Sequence, residues 1–278
     1  MHVDAATRVI FMVGQPVAQT KTPALLNAWF AAQGRNLAVV PLALPGDAMP
    51  AFSRLLGEAG NVLGCVVTIP LKARLYPLVH EASPVASALR AVNVVKRRDD
   101  GRLYGDMLDG EAMVRGLRAL DVAPAGRSAF LAGCGGAGSA MAFSACREGV
   151  RRLRLHDAQP ESARRLADTL RRRFGACEIE VGADARGSDL VINASPLGMQ
   201  ADDALPVPVE GLDPRAVIVD AVTSGGTTRW AAACRAAGHV VLDGNAVAAH
   251  QLPLMREFFG IEATPAEAVP SSRQEDAP

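Results

Sequence analysis

Lysine is nearly absent from this chain of 278 residues: of 29 basic residues only Lys21, Lys72 and Lys96 are lysine, and the other 26 are arginine. Arginine stays protonated at any ordinary pH, whereas lysine can give up a proton and take it back. A lysine kept in so arginine-rich a chain is therefore a place to look for proton transfer. Net charge is absent too, because 29 acidic residues balance the basic ones. That leaves no electrostatic footprint for a phosphate backbone and excludes nucleic acid as a main partner. Aromatic side chains are few, with 8 Phe, 2 Trp and 2 Tyr, so the core must be built from Ala, Val and Leu, which suits helices packed on parallel strands. Five scattered cysteines (Cys65, Cys134, Cys146, Cys177 and Cys234) form no CxxC pair, which argues against a disulfide framework or a metal site and for a reducing cytoplasm. No basic leader precedes an apolar core, and no apolar run approaches the ~18 residues of a membrane span, so neither export nor a membrane partner is expected.

What is present is alternation. Apolar runs of strand length alternate with longer stretches of helical period, the pattern of repeated βαβ units and an α/β fold. Strands are expected at Arg8–Val13, Leu37–Leu42, Gly64–Ile69 and Ala91–Lys96, with helices at Pro23–Gln33, Ala48–Ala59, Ser83–Leu89 and Glu111–Leu120. A polar turn falls at Asp99–Gly101, and Asp121–Arg127 reads as a connector. A second set of strands then begins: Ser128–Ala132, Arg151–Leu155, Leu190–Ala194, Val217–Val222 and Val240–Leu242, spaced as in a doubly wound Rossmann-type sheet. The stretch Gly244–Phe259 is helical and apolar on one side. The expected division is a substrate domain at 1–108, a dinucleotide domain at 109–243, a C-terminal helical segment at 244–262 returning to the first domain, and a disordered tail at 263–278.

Directly after the strand ending at Ala132 comes Gly133-Cys134-Gly135-Gly136-Ala137-Gly138, and then a helix-forming run from Ser139. Gly133 permits a tight turn, Gly135 lets a pyrophosphate approach the backbone, and Gly138 allows close packing of helix on strand. The anion then rests on free amides at a helix N-terminus, including those of Gly136 and Ala137. Asp157, 19 residues beyond Gly138, ends the next strand. A carboxylate there accepts from the adenosine ribose hydroxyls and repels a 2′-phosphate, which points to NAD. Nearby Arg151, Arg152, Arg154, Arg164 and Arg165 keep NADP as the alternative.

Four segments of the first half acquire a meaning together: Gly14-Gln-Pro16 with Gln19-Thr20-Lys21-Thr22-Pro23, Gly64-Cys-Val-Val-Thr68-Ile-Pro70-Leu-Lys72, Ala91-Val-Asn93, and Gly105-Asp106-Met-Leu-Asp109-Gly110. In this order ahead of a nucleotide domain they resemble the shikimate dehydrogenase family, with its shikimate, quinate and dehydrogenase-like branches. Asn193-Ala-Ser195-Pro196-Leu-Gly198-Met199 is similar to the family's segment beneath the nicotinamide, and Asp243-Gly244 with Gln251 to its returning helix. The resemblance covers roughly residues 8 to 260. It implies hydride transfer between a nicotinamide cofactor and a ring hydroxyl or ketone of a cyclic hydroxy acid, by a monomer or homodimer. It further implies Lys72 and Asp106 as the catalytic pair and Thr20, Thr22, Thr68, Asn93 and Gln251 as substrate contacts. Asn193, Ser195 and Gly244 are implied beside the cofactor.

The departures from the family also carry information. Val66 stands where the family has Asn, Met107-Leu108 where it has Asn-Thr, Val222 where a Tyr is common, and Gln19 where a His is frequent. Apolar side chains at such places would leave ring hydroxyls unpaired, at about 1–3 kcal/mol each, so the substrate is expected to have drifted from shikimate. A catalytically idle nucleotide-binding protein on the same fold is the alternative function. A two-domain dehydrogenase of the methylene-tetrahydrofolate type explains neither the threonine pair nor the Asp106 segment.

Overall fold

The computed structural model describes residues 3–223 and 226–261; the tail expected at 263–278 lies outside them. The first half runs β1 (Arg8–Gly14), α1 (Thr22–Ala32), β2 (Leu37–Ala43), α2 (Met49–Glu58), β3 (Val62–Val67), α3 (Lys72–Leu75), β4 (Glu81–Ala82), α4 (Pro84–Leu89), β5 (Val94–Arg97) and β6 (Leu103–Asp106). The second continues with α5 (Asp109–Ala119), β7 (Ser128–Ala132), α6 (Gly136–Arg147), β8 (Arg152–His156), α7 (Pro160–Arg171), β9 (Glu178–Val181), β10 (Leu190–Asn193), β11 (Val217–Asp220), α8 (Arg229–Ala236), β12 (Val241–Leu242) and α9 (Gly244–Phe259).

The strands form two six-stranded sheets, ordered β2-β1-β3-β5-β6-β4 and β12-β11-β10-β7-β8-β9. The second is parallel throughout, and its order reverses between β7 and β10, the crevice in which such sheets take a dinucleotide. Its central strands Ser-Ala-Phe-Leu-Ala and Leu-Val-Ile-Asn are buried along their whole length, as expected of strands covered on both faces. The first sheet is mixed, because β5 pairs antiparallel with both β3 and β6.

Three strands absent from the sequence reading, β4, β6 and β9, are short and lie at or near sheet edges, where no long apolar run marks them. β6 follows the polar turn at Asp99–Gly101, whose Gly101 takes φ +81° and reverses the chain into a hairpin. The scarcity of aromatics has a structural counterpart in α6, whose buried face is mostly Ala, Gly and Ser. It lets α5 approach so closely that a Cβ on Gly110 would stand 2.1 Å from the Ala140 carbonyl oxygen. α9 packs back on α5, β5 and α1, so one buried cluster runs from β1 and α1 of the first sheet through α5 and α6 to the strands of the second. No helix among the described residues is long and apolar enough to cross a membrane.

Candidate active site

A cleft of about 250 Å³ opens between the two sheets, and β3, α3, α5, α6, α9 and the loops after β10 and β11 all contribute to it. Lys72 enters it from the turn that ends β3. Thr68 N bonds Val13 O at 2.9 Å, and Leu71 N closes on Thr68 O at 3.0 Å, so the chain leaves the sheet edge and starts α3 with Lys72 facing the second half. There Lys72 Nζ donates to Asp109 Oδ2. Asp109 is the first residue of α5 and only 8% exposed. Its other oxygen, Oδ1, accepts from Asn93 Nδ2 and from Gln251 Nε2, each at 2.7 Å. Three side chains from β5's approach, α3 and α9 thus converge on one carboxylate, which also enjoys the positive end of α5.

This corrects the pairing expected for Lys72. Asp106 ends β6, and its side chain accepts from Ser83 Oγ and from Met107 N at 2.7 Å. Ser83 is the N-cap of α4, accepting from Ala86 N, so Asp106 anchors a helix end. The chain turns once more before Asp109 reaches the lysine. Asn93, expected as a substrate contact, is 1% exposed and engaged at both ends, since its Oδ1 accepts from Leu108 N at 2.8 Å. It lines the cleft chiefly as a brace for Asp109.

The remaining expected substrate residues gather in the same cleft. Gln251 lines it from α9, Thr68 from the end of β3, and Thr20 and Thr22 from the start of α1. Thr20 Oγ1 donates to Val17 O at 2.7 Å, and Lys21 Nζ reaches Asn245 Oδ1 on α9 at 2.7 Å. Gln19 turns its Nε2 to Pro16 O, leaving its Oε1 buried without a hydrogen-bond partner. Of the departures, Val66 and Val222 line the cleft, whereas Met107 and Leu108 are buried in the cores and do not touch it.

The glycine loop meets the requirements of a dinucleotide. Gly133 takes φ +93°, and a Cβ on it would stand 2.4 Å from Ser195 N. At Gly138 a Cβ would stand 1.8 Å from Gly133 O, while at Gly135 it would meet no protein atom within 4 Å. The turn and helix packing therefore demand Gly133 and Gly138, and the space over Gly135 is open, as an approaching pyrophosphate needs. Gly136 and Ala137 open α6, and Gly136 lies so near that its Cβ would be 3.0 Å from Lys72 Cδ. Asp157 directly follows β8, with Oδ2 accepting from Cys134 N at 2.6 Å and Oδ1 from Gln159 N at 2.8 Å. Burial, with the Asp157 carboxylate adding to it, pushes the Cys134 thiol up to about 12.

Two residues expected against the cofactor divide. Ser195 lines the cleft, but Asn193 is fully buried. Its Oδ1 accepts from Ser195 N and Oγ at 3.0 and 2.6 Å, and its Nδ2 donates to Leu197 O at 3.0 Å and Asp220 Oδ1 at 2.9 Å. Asp220 also accepts from Thr228 Oγ1 and from Val222 N. This one buried carboxylate, its pKa raised by burial, ties together the loops after β10 and β11. Gly244 opens α9 against the Val222 carbonyl, where a Cβ would be 2.1 Å away. Neither Asp109 nor Asp220 is among the site residues expected from sequence. Asp109 offered a signal, a second carboxylate at helix-start spacing in Gly105–Gly110; Asp220 looked like a strand-end residue.

The sequence and the fold both have known relatives. The shikimate dehydrogenase substrate binding domain matches residues 12–95. A protein of Rubrobacter xylanophilus named shikimate dehydrogenase (NADP(+)) is 35% identical, with 94% of this chain and 91% of that protein aligned. The solved quinate dehydrogenase from Corynebacterium glutamicum in complex with NAD is 29% identical, covers 93% of this chain and 95% of its own, and superposes with a TM-score of 0.80. Shikimate 5-dehydrogenase from Listeria monocytogenes, solved with shikimate and NAD, shares the fold at a TM-score of 0.85 over 95% of this chain and 96% of its own, with 21% identity. The chain belongs to the shikimate dehydrogenase family and is an NAD(P)-dependent oxidoreductase.

Proposed function

We propose that this chain interconverts a ring hydroxyl and a ring ketone of a cyclic hydroxy acid, of the shikimate or quinate kind or a close relative, with Lys72 and Asp109 as its acid-base pair. The observation that carries the reading is the Lys72–Asp109 contact, set in one cleft with Ser195, Pro196 and Met199 of the loop after β10. In the reducing direction the Lys72 ammonium delivers a proton to the carbonyl oxygen, and Asp109 keeps that ammonium aimed. Asn93 and Gln251 hold the carboxylate still, so the donor is oriented before substrate arrives. In the oxidising direction the hydroxyl proton passes to Lys72 Nζ. A bound nicotinamide would supply the chemistry a side chain lacks, taking or giving the hydride at the carbinol carbon. At the other end, the hydroxyls of Thr20 and Thr22 beside the Lys21 ammonium suit a substrate carboxylate.

For the dinucleotide, Gly133 to Gly138 and the first turn of α6 would hold the pyrophosphate, and Asp157 the adenosine ribose. The Asp157 carboxylate disfavours a 2′-phosphate there, and NAD is the proposed cofactor. NADP is the second reading, because the Rubrobacter relative is named for NADP(+) and Arg165 lies in a cavity with Gly135 and Gly136. Residues up to about 108, with α9, make the substrate half, and the parallel sheet makes the dinucleotide half. The five cysteines are unpaired and buried, which fits a reducing cytoplasm. The test is a set of initial rates on shikimate and quinate with each dinucleotide. NAD-linked turnover supports the reading; strict NADP dependence overturns the cofactor, and nucleotide binding without turnover of any ring hydroxy acid overturns the activity.

A further inference from the structure

The floor of the cleft rests on a row across three neighbouring strands, of which Met12 and Val66 line it and Val94 is fully buried beside them. Met12 on β1 stands in register with Val66 on β3, and Val66 with Val94 on β5. All three belong to one buried cluster, while Val13, Cys65 and Val95 belong to the cluster on the opposite face, as strand alternation requires; Val67 packs in that second cluster and still borders the cleft where β3 ends. Met141 of α6 and Met255 of α9, both at most 2% exposed, extend the same apolar surface around the cleft.

Polar side chains on the substrate side fall into two groups, one tied to Asn245 at the start of α9 through Lys21 and the other to Gln251, six residues further along α9, through Asp109. One is Gln19, Thr20, Lys21 and Thr22; the other is Thr68, Lys72, Asp109 and Gln251. Asn93, at the edge of the second group, has both ends of its amide engaged with Asp109 and Leu108. A hydroxyl pressed on Met12 and Val66 would meet only aliphatic carbon and a thioether, a weak acceptor. It would lose its water without gaining a partner.

Resting on the reading of this cleft as the site of a cyclic hydroxy acid, we propose that the substrate carries its carboxylate and its reacting oxygen at opposite ends. The ring edge between them bears hydrogen, not hydroxyl. Its class is a sparsely hydroxylated ring carboxylic acid, and Met12 and Val66 are the residues that select it. The carbinol of such a ring loses hydride to the dinucleotide and its hydroxyl proton to Lys72, giving the ketone, so the reaction balances without a further reactant.

The experiment compares kcat/KM of the full-length protein, with NAD, on shikimate and quinate against ring carboxylic acids of the same skeleton with one secondary hydroxyl. The expected wild-type result is at least a tenfold preference for the singly hydroxylated ring. Val66→Asn, close in volume, should narrow or reverse that ratio while leaving the dissociation constant for NAD unchanged. A wild-type preference for the polyhydroxylated rings overturns the proposal and leaves the ring-dehydrogenase reading standing. Turnover of neither set overturns both. The wild-type ratio decides even where the variant fails to fold, and a folded Val66→Asn with an unchanged ratio removes Val66 as the selecting residue.

Discussion

Lys72 of α3 and Asp109 of α5 are joined side chain to side chain across the seam between the two sheets, and Asp106, three residues before Asp109, faces Ser83 instead. Each carboxylate can be tested against the other. Asp109→Asn removes the charge that orients the ammonium and should lower kcat by about 10²- to 10⁴-fold. Asp106→Asn keeps an acceptor for Ser83 and should cost about 1 kcal/mol of stability with kcat within a fewfold of wild type. Steady-state rates and urea midpoints on the two purified variants check both outcomes.

The glycine loop separates structural from ligand-directed glycines. Gly138→Ala drives a methyl into Gly133 O and should destabilise the protein by about 1–3 kcal/mol. Gly135→Ala meets no protein atom within 4 Å, so its melting temperature should match wild type while NAD binds about tenfold more weakly, near 1.4 kcal/mol. Calorimetric titration with NAD beside a melting curve reads the two effects separately.

Cofactor choice should respond to one charge. Asp157→Asn retains an acceptor for the glycine-loop amide but removes the carboxylate repulsion toward a 2′-phosphate. The ratio of kcat/KM for NADP to that for NAD is expected to rise about tenfold, roughly 1.4 kcal/mol. An unchanged ratio would mean that the adenosine end is read by other residues.

Asp220 supplies a pH dependence. Burial raises its pKa in the folded protein, so the folded state binds that proton more tightly than the unfolded chain does. Its contribution to stability is therefore full below the ordinary aspartate range and is lost as pH rises through the raised value. Asp220→Asn, which cannot titrate, should show a flatter fall of urea midpoint across that interval. Because Asp220 reaches Asn193, Thr228 and Val222 N, Asp220→Ala should additionally raise the KM for dinucleotide.

Much of this could be read from residues alone, and the exceptions share a cause. The central strands β1, β3, β7, β10 and β11 announce themselves by continuous apolar runs, and the glycine loop by strand, glycines and helix in order. β4, β6 and β9 lie at or near sheet edges, where neither burial nor alternation is strong enough to mark so short a strand. Motif order puts Lys72, Thr68 and Gln251 in the cleft, where the structure has them. The choice between Asp106 and Asp109 depends on where β6 ends and α5 starts, and boundaries are what sequence patterns locate least well. For Asn93 and Asn193 the sequence does not show the carboxylate partner, because an amide in a turn looks the same whether it faces a ligand or a neighbouring carboxylate; the contacts to Asp109 and Asp220 appear only in the structure.

The central claim is that the Lys72 amine, held by Asp109, moves the proton. Its most direct measurement is NAD-linked turnover by Lys72→Arg, beside NAD binding by the same preparation. Arginine keeps the positive charge but does not release its proton at ordinary pH. The account predicts kcat reduced by at least about 10²-fold with the NAD dissociation constant unchanged. Turnover within a fewfold of wild type would contradict it.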